Sequence, residues 1–144
     1  MKRILFVCTG NTCRSPMAEC MLRSMLDQLA MNDRFQVLSA GTYALSGAPA
    51  SMGAQRAMQR RGLSLAAHKS QAVTSVLLDS CDLIIGLSAS HIAQLRMMYP
   101  ACRTPMRAFD DPPVSDPYGG DDAAYERAAC DIQRQLPALI ESIR

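Results

Sequence analysis

Cys8 and Arg14 frame the short stretch Cys8-Thr9-Gly10-Asn11-Thr12-Cys13-Arg14-Ser15-Pro16, with five small or turn-forming residues between them. The apolar run Ile4-Leu5-Phe6-Val7 leads into it and an amphipathic run from Met17 to Leu29 leads out. Ser15 is a good N-cap and Pro16 suits the first helical position, so the stretch reads as strand, tight loop, helix. Backbone N–H groups of such a loop converge, and the helix start adds partial positive charge, which together cradle one small anion. Gly10 would let the backbone come close to that anion, and Asn11 tolerates a left-handed conformation. Arg14 can clamp two oxygens of a phosphoryl group in a bidentate fashion. The same positive field favours Cys8 as a thiolate, and a thiolate beside a bound phosphoryl group is a nucleophile in place.

A C-x5-R spacing alone is common by chance, and two plainer readings compete with it. Cys8 could be a buried structural thiol at a strand end. The loop could be a Walker-type nucleotide loop, but it lacks the Gly-Lys-Ser/Thr ending. The preceding apolar strand, the Gly-Asn turn and the Ser-Pro helix start favour the catalytic reading.

The elements that must hold this loop follow in order. Arg3 to Cys8 is a near-continuous apolar strand, as in the buried centre of a parallel sheet. In the first helix Ala18, Leu22, Met25 and Leu29 form one face, and Glu19, Arg23 and Asp27 the other. Phe35 to Ala40 is a second strand ending at Gly41. Thr42 to Pro49 is loop, and Ser51 caps a helix through Arg61 that Gly62 stops. Leu63 to Val73, which contains His68, is polar and aperiodic. Thr74 to Cys81 forms a short helix, Asp82 to Leu87 a third strand, and Ser90 to Tyr99 a helix ended by Pro100. Pro105 to Phe109 is a weak strand that suits a sheet edge. Asp110 to Gly120 is a loop with three prolines and two glycines. The last helix carries the stripe Ala128, Ile132, Leu136, Leu139 and Ile143, in phase across Pro137, which predicts one kinked helix. Strands alternating with helices imply right-handed βαβ units and a parallel sheet, whose order the pattern leaves open.

With 144 residues and a formal net charge of +2, a single domain spanning 1–144 is expected, with no electrostatic footprint for nucleic acid. No apolar run reaches transmembrane length and no signal peptide precedes the first strand, so no membrane partner is expected. Six cysteines (Cys8, Cys13, Cys20, Cys81, Cys102, Cys130) lack the spacing of a small secreted scaffold, which suggests a reduced, cytoplasmic setting. There is no C-x2-C pair and the two histidines lie far apart in sequence, so no metal and no cofactor are expected. The ten methionines read as core fillers at apolar helix positions.

The stretch CTGNTCRSPMAE closely resembles the low-molecular-weight protein phosphatases, a family of small cysteine-dependent enzymes. The resemblance continues in Ser39-Ala40-Gly41-Thr42, Asp82-Leu83-Ile84-Ile85 and Asp116-Pro117-Tyr118-Gly119, in the right order over essentially the whole chain. It implies an α/β, flavodoxin-like three-layer sandwich, with a four-stranded parallel sheet in the order 2-1-3-4 and helices on both faces. The switch point beside strand one then lies over the Cys8 loop. It also implies a phosphocysteine intermediate on Cys8, with a phosphorylated protein as substrate and a monomer as the acting species.

A departing group needs a proton, and five acids (Asp110, Asp111, Asp116, Asp121, Asp122) lie between 110 and 122. Sequence alone does not choose among them, and Asp116 before Pro117 could simply cap a turn. The resemblance selects Asp116 as general acid, then as base toward water. Arg14 and the amides of Thr9, Gly10, Asn11, Thr12 and Cys13 would hold the charge developing on the phosphoryl oxygens. Ser15 would hydrogen-bond the sulfur and help it leave. By the same resemblance Ser39, and less firmly His68, buttress Asn11, and Cys13 can close a reversible disulfide with Cys8.

The family includes phosphotyrosine and phosphoarginine enzymes. Isoleucine is usual before the second loop cysteine in the former and threonine marks the latter, and here the residue is Thr12. The wall segment Thr42-Tyr43-Ala44-Leu45 lacks the tryptophan of many tyrosine enzymes, whereas Tyr118 suits them. The balance leans slightly to phosphoarginine. Two rivals are an arsenate reductase on the same fold and a non-catalytic phosphate-binding module. The first needs a resolving cysteine after the third strand, where Leu87-Ser88-Ala89-Ser90-His91 has none. Cys8, Arg14 and Asp116 occurring together argue against the second.

Overall fold

The computed structural model describes residues 1–144. Its elements are β1 (Lys2–Cys8), α1 (Arg14–Gln28), β2 (Phe35–Gly41), α2 (Met52–Gln59), α3 (Ser75–Asp79), β3 (Leu83–Gly86), α4 (Ala89–Met98), β4 (Met106–Ala108) and α5 (Asp122–Ile143). All strand pairs are parallel, in the order β2-β1-β3-β4, with β4 at an edge as its opening proline suggested. Because β1 is central, both of its faces are buried, and this accounts for an apolar run in place of an alternating one. Ile4, Phe6 and Cys8 join the core beneath α1, α2 and α5, while Leu5 and Val7 join a smaller core with Leu78 and Leu95 of α3 and α4. Helices therefore cover both faces, and the chain has three layers.

The register sets Cys8 opposite Gly41 of β2 and Val7 opposite Gly86 of β3. The loops leaving all three strands thus gather at one end of the sheet. Gly41 is where the backbones come closest: an added Cβ would lie 2.4 Å from the Thr9 carbonyl oxygen and 3.0 Å from the Asn11 nitrogen. Thr42 and Tyr43 then donate their N–H groups to the carbonyls of Cys8 and Thr9. Gly10, expected to be the point of close approach, would meet nothing nearer than Thr12 Oγ1 at 3.7 Å.

Four expectations are corrected. Ser15 does not cap α1; the helix starts at Arg14, Cys13 holds the N-cap position without a side-chain bond, and the Ser15 hydroxyl turns inward to Cys8 and Asn11. The buried face of α1 is Met17, Ala18, Met21, Leu22 and Leu26. Leu29 is exposed because Ala30, at φ +56°, turns the chain away after Gln28. From the other face, Glu19 accepts from the Ser39 hydroxyl. Of the methionines only Met17, Met21, Met31 and Met58 are buried, while Met1, Met52, Met97 and Met98 are exposed. The final helix runs as one element through Pro137, with Ala128, Ile132, Leu136 and Leu139 buried and Ile143 packed at the margin. No helix is long and apolar enough to cross a membrane.

Candidate active site

The loop between β1 and α1 folds around Asn11, which is fully buried and sits in the left-handed region at φ +57°. Its side chain fixes a hydrogen-bond direction through the site. Asn11 Oδ1 accepts from the Gln71 N–H at 3.0 Å, so the amide nitrogen faces the other way. That nitrogen donates to Ser15 Oγ at 2.8 Å and to Ser39 Oγ at 2.9 Å. Ser39 in turn donates to Glu19 Oε1 at 2.6 Å, and a carboxylate can only accept. Ser15 Oγ, already an acceptor from Asn11, keeps its own hydrogen and a second lone pair, and Cys8 Sγ lies 2.9 Å away. The network thus fixes the Ser15 hydroxyl beside the Cys8 sulfur. From behind, His68 Nε2 is 2.7 Å from the Asn11 carbonyl oxygen and must carry the hydrogen, because a carbonyl only accepts. Ser39 and His68 thus both hydrogen-bond to Asn11. Strand alternation explains Ser39: it shares the parity of Phe35 and Val37, which face α1.

Arg14, almost wholly buried, donates to the Val114 carbonyl at 3.2 Å and pairs with Asp116 at 3.6 Å. The half-exposed Asp116 side chain also accepts the Tyr118 N–H at 3.1 Å, so the turn-capping role and the position beside Arg14 coexist. The other four acids are elsewhere engaged or placed. Asp121 caps α5, Asp122 pairs with Arg56 and Arg60, and Asp110 and Asp111 lie outside the cleft.

The cleft over the loop has a volume of about 330 Å³. Cys8, Thr9, Gly10, Thr12, Cys13 and Arg14 form its floor and inner wall, and Tyr43, Leu45, Ala48, Ser70, Asp116 and Tyr118 its rim. Tyr43, Leu45 and Tyr118 are strongly exposed there. Ser15 and Ser39 lie beneath it and act through their neighbours. A larger groove of about 690 Å³ follows the edge of β2, but it holds neither the cysteine nor the loop. It touches only the outer side of the supports Glu19, Ser39, His68 and Gln71. Cys13 is buried, with Ser51 Oγ at 3.3 Å and Tyr125 Oη at 3.5 Å; burial and the Cys13 contact push the Tyr125 phenol up. Cys81 and Cys102 belong to the core beneath α3 and α4, so only Cys13 joins Cys8 at the cleft.

Sequence reasoning missed Glu19, Gln71, Tyr125 and His91. A signal existed for Glu19, which follows Ser15 by four residues and so shares its helix face. His91 is buried in the first turn of α4, with Nε2 3.1 Å from Thr9 Oγ1 and Nδ1 2.8 Å from Ser88 Oγ. Burial and the Arg14 charge lower its pKa to about 4, against a smaller opposing pull from Asp116, so it is neutral at ordinary pH.

A family model described as low molecular weight phosphotyrosine protein phosphatase matches residues 3–144. The chain is 35% identical over 150 residues to the probable low molecular weight protein-tyrosine-phosphatase EpsP of Ralstonia solanacearum, covering 100% of this chain and 97% of that one. It is 31% identical over 148 residues to the protein-arginine-phosphatase of Geobacillus stearothermophilus, covering 99% and 96%. The crystal structure of the low molecular weight protein tyrosine phosphatase from T. tengcongensis superposes with a TM-score of 0.91 at 31% identity, covering 99% of each chain.

Proposed function

The chain belongs to the low molecular weight phosphotyrosine protein phosphatase family and is a protein phosphatase, and from that premise we propose that Cys8 is its nucleophile, Arg14 its phosphoryl clamp and Asp116 its general acid. The observation that carries this reading is the sulfur itself: Cys8 Sγ sits at the floor of the cleft, 2.9 Å from a Ser15 hydroxyl that the Asn11 amide holds in place. Cys8 attacks phosphorus, the bond to the leaving oxygen or nitrogen breaks, and Asp116 gives that atom a proton. Water then attacks the phosphocysteine, Asp116 takes its proton, and the S–P bond breaks with its electron pair going to sulfur, the leaving Cys8 thiolate accepting a hydrogen bond from the Ser15 hydroxyl while Ser15 keeps its proton. Arg14 and the loop amides from Thr9 to Cys13 hold the charge that spreads over the equatorial oxygens.

The substrate favoured is phosphoarginine in a protein. Thr12 Oγ1 faces the cleft with no partner closer than Cys13 Sγ at 3.8 Å, so it is free to accept from a guanidinium N–H. Phosphotyrosine is the second reading, supported by Tyr43, Leu45 and Tyr118, whose exposed side chains can flank a phenyl ring. The acting species in this reading is a monomer with one domain spanning 1–144. The six free thiols, with a thiolate among them in the mechanism, suit a reduced, cytoplasmic setting. The test is the ratio of kcat/KM on phosphoarginine and phosphotyrosine peptides in the parent and in Thr12→Ile. One lost hydrogen bond to a charged group should lower that ratio by about one to two decades. An unchanged ratio removes Thr12 as the selector, and a parent ratio strongly favouring phosphotyrosine establishes the second reading instead.

A further inference from the structure

Two threonine hydroxyls, those of Thr9 and Thr12, lie on the wall of the cleft, and the structure treats them differently. Thr12 Oγ1 is free, but Thr9 Oγ1 is tied to a buried imidazole across the sheet, because the loop after β3 opens at the same end as the loop after β1. His91 is held from its other side by Ser88, which stands at the N-cap position of the same helix without a side-chain capping bond and itself contacts Ser90 Oγ at 2.7 Å. We infer that His91 is a positioning residue for the phosphatase reaction, fixing the Thr9 hydroxyl on the cleft wall beside Cys8, where it meets the group that leaves phosphorus.

The geometry gives the reason. Thr9 follows the nucleophile directly, yet its side chain is exposed and lines the cleft between the floor and the rim. The phosphoryl group occupies the floor, where Arg14 and the loop amides converge, so a wall hydroxyl beside it faces the departing atom. A free threonine hydroxyl rotates among three staggered positions. Bonded to His91, it has one direction occupied and presents its remaining hydrogen-bonding site to the cleft. A neutral imidazole offers one donor and one acceptor, so both Ser88 and Thr9 can be bonded at once in either tautomer.

This inference rests on the reading of Cys8 as nucleophile, and the experiment separates the two. Turnover of para-nitrophenyl phosphate and of a phosphopeptide is measured for the parent, Thr9→Val, His91→Ala, His91→Gln and the double variant Thr9→Val/His91→Ala, with inhibition by inorganic phosphate measured on each. Thr9→Val and His91→Ala should each lower kcat/KM by about 2- to 12-fold, the span of one neutral hydrogen bond. The double variant should lose no more than the worse single variant, because both remove the same contact. His91→Gln, whose amide can reach Thr9, should recover part of the loss. Phosphate inhibition should stay within about twofold of the parent, since the contact is to the leaving group and not to the phosphoryl oxygens. Losses that multiply, a Thr9→Val variant as active as the parent, or weakened phosphate inhibition in step with activity would each overturn the assignment. If His91→Ala does not fold, the same coupling is read from Thr9→Val combined with His91→Gln. Parent-like turnover in Cys8→Ser would instead overturn the underlying phosphatase mechanism.

Discussion

Replacing Ser15 by alanine removes the one group through which the buried network touches Cys8. Ser15 is fully buried, accepts from Asn11 at 2.8 Å and has its only hydrogen available for Cys8 Sγ at 2.9 Å. A hydrogen bond to a charged group is worth about 1.5–3 kcal/mol, which predicts a fall in kcat of about ten- to 150-fold. Stability should barely move. Alanine is the better helix former by about 0.5 kcal/mol, which offsets much of a lost neutral bond of about 1 kcal/mol to an Asn11 amide that keeps its Ser39 partner. The step most affected is the second, in which sulfur leaves phosphorus. Para-nitrophenyl phosphate should therefore give a pre-steady-state burst of nitrophenol close to one per active site. A loss below about threefold, or a loss matched by a fall in melting temperature, would refute the reasoning that the network serves the sulfur.

Asp116→Asn should cost about two to four orders of magnitude with poor leaving groups and much less with good ones, read as the slope of log kcat/KM against leaving-group pKa. Equal losses across leaving groups would move the acid's role away from Asp116. Peroxide should inactivate the parent reversibly through a Cys8–Cys13 disulfide and Cys13→Ser irreversibly, as scored by recovery in thiol reductant. Full rescue of that variant would remove Cys13 as the resolving residue.

Much of this molecule is legible in its sequence because strong local signals coincide. The apolar run to Cys8, the Ser51 cap and the stripe of α5 each lie where their residue types demand. The parts that escaped are those in which tertiary contacts override local preference. Ser15 looks like a cap, yet its hydroxyl is worth more against a buried sulfur and amide than at a helix end. Glu19 looks like a surface charge, yet the parity of β2 turns Ser39 toward it. His91 is more than 80 residues from Thr9, and only the pairing of β1 with β3 brings them together. Asp116 could not be chosen from its four acidic neighbours by composition; the cleft separates them because it admits only the one beside Arg14.

The central claim is a covalent phosphoryl group on Cys8, and the most direct measurement is to trap it. The protein is mixed with a phosphoryl-labelled substrate, quenched within a single turnover and digested, and the label is located by mass spectrometry. The account predicts label on the peptide containing Cys8, formed no more slowly than steady-state turnover and absent from sulfur in Cys8→Ser. Turnover without label on Cys8, or label appearing more slowly than product, would contradict it.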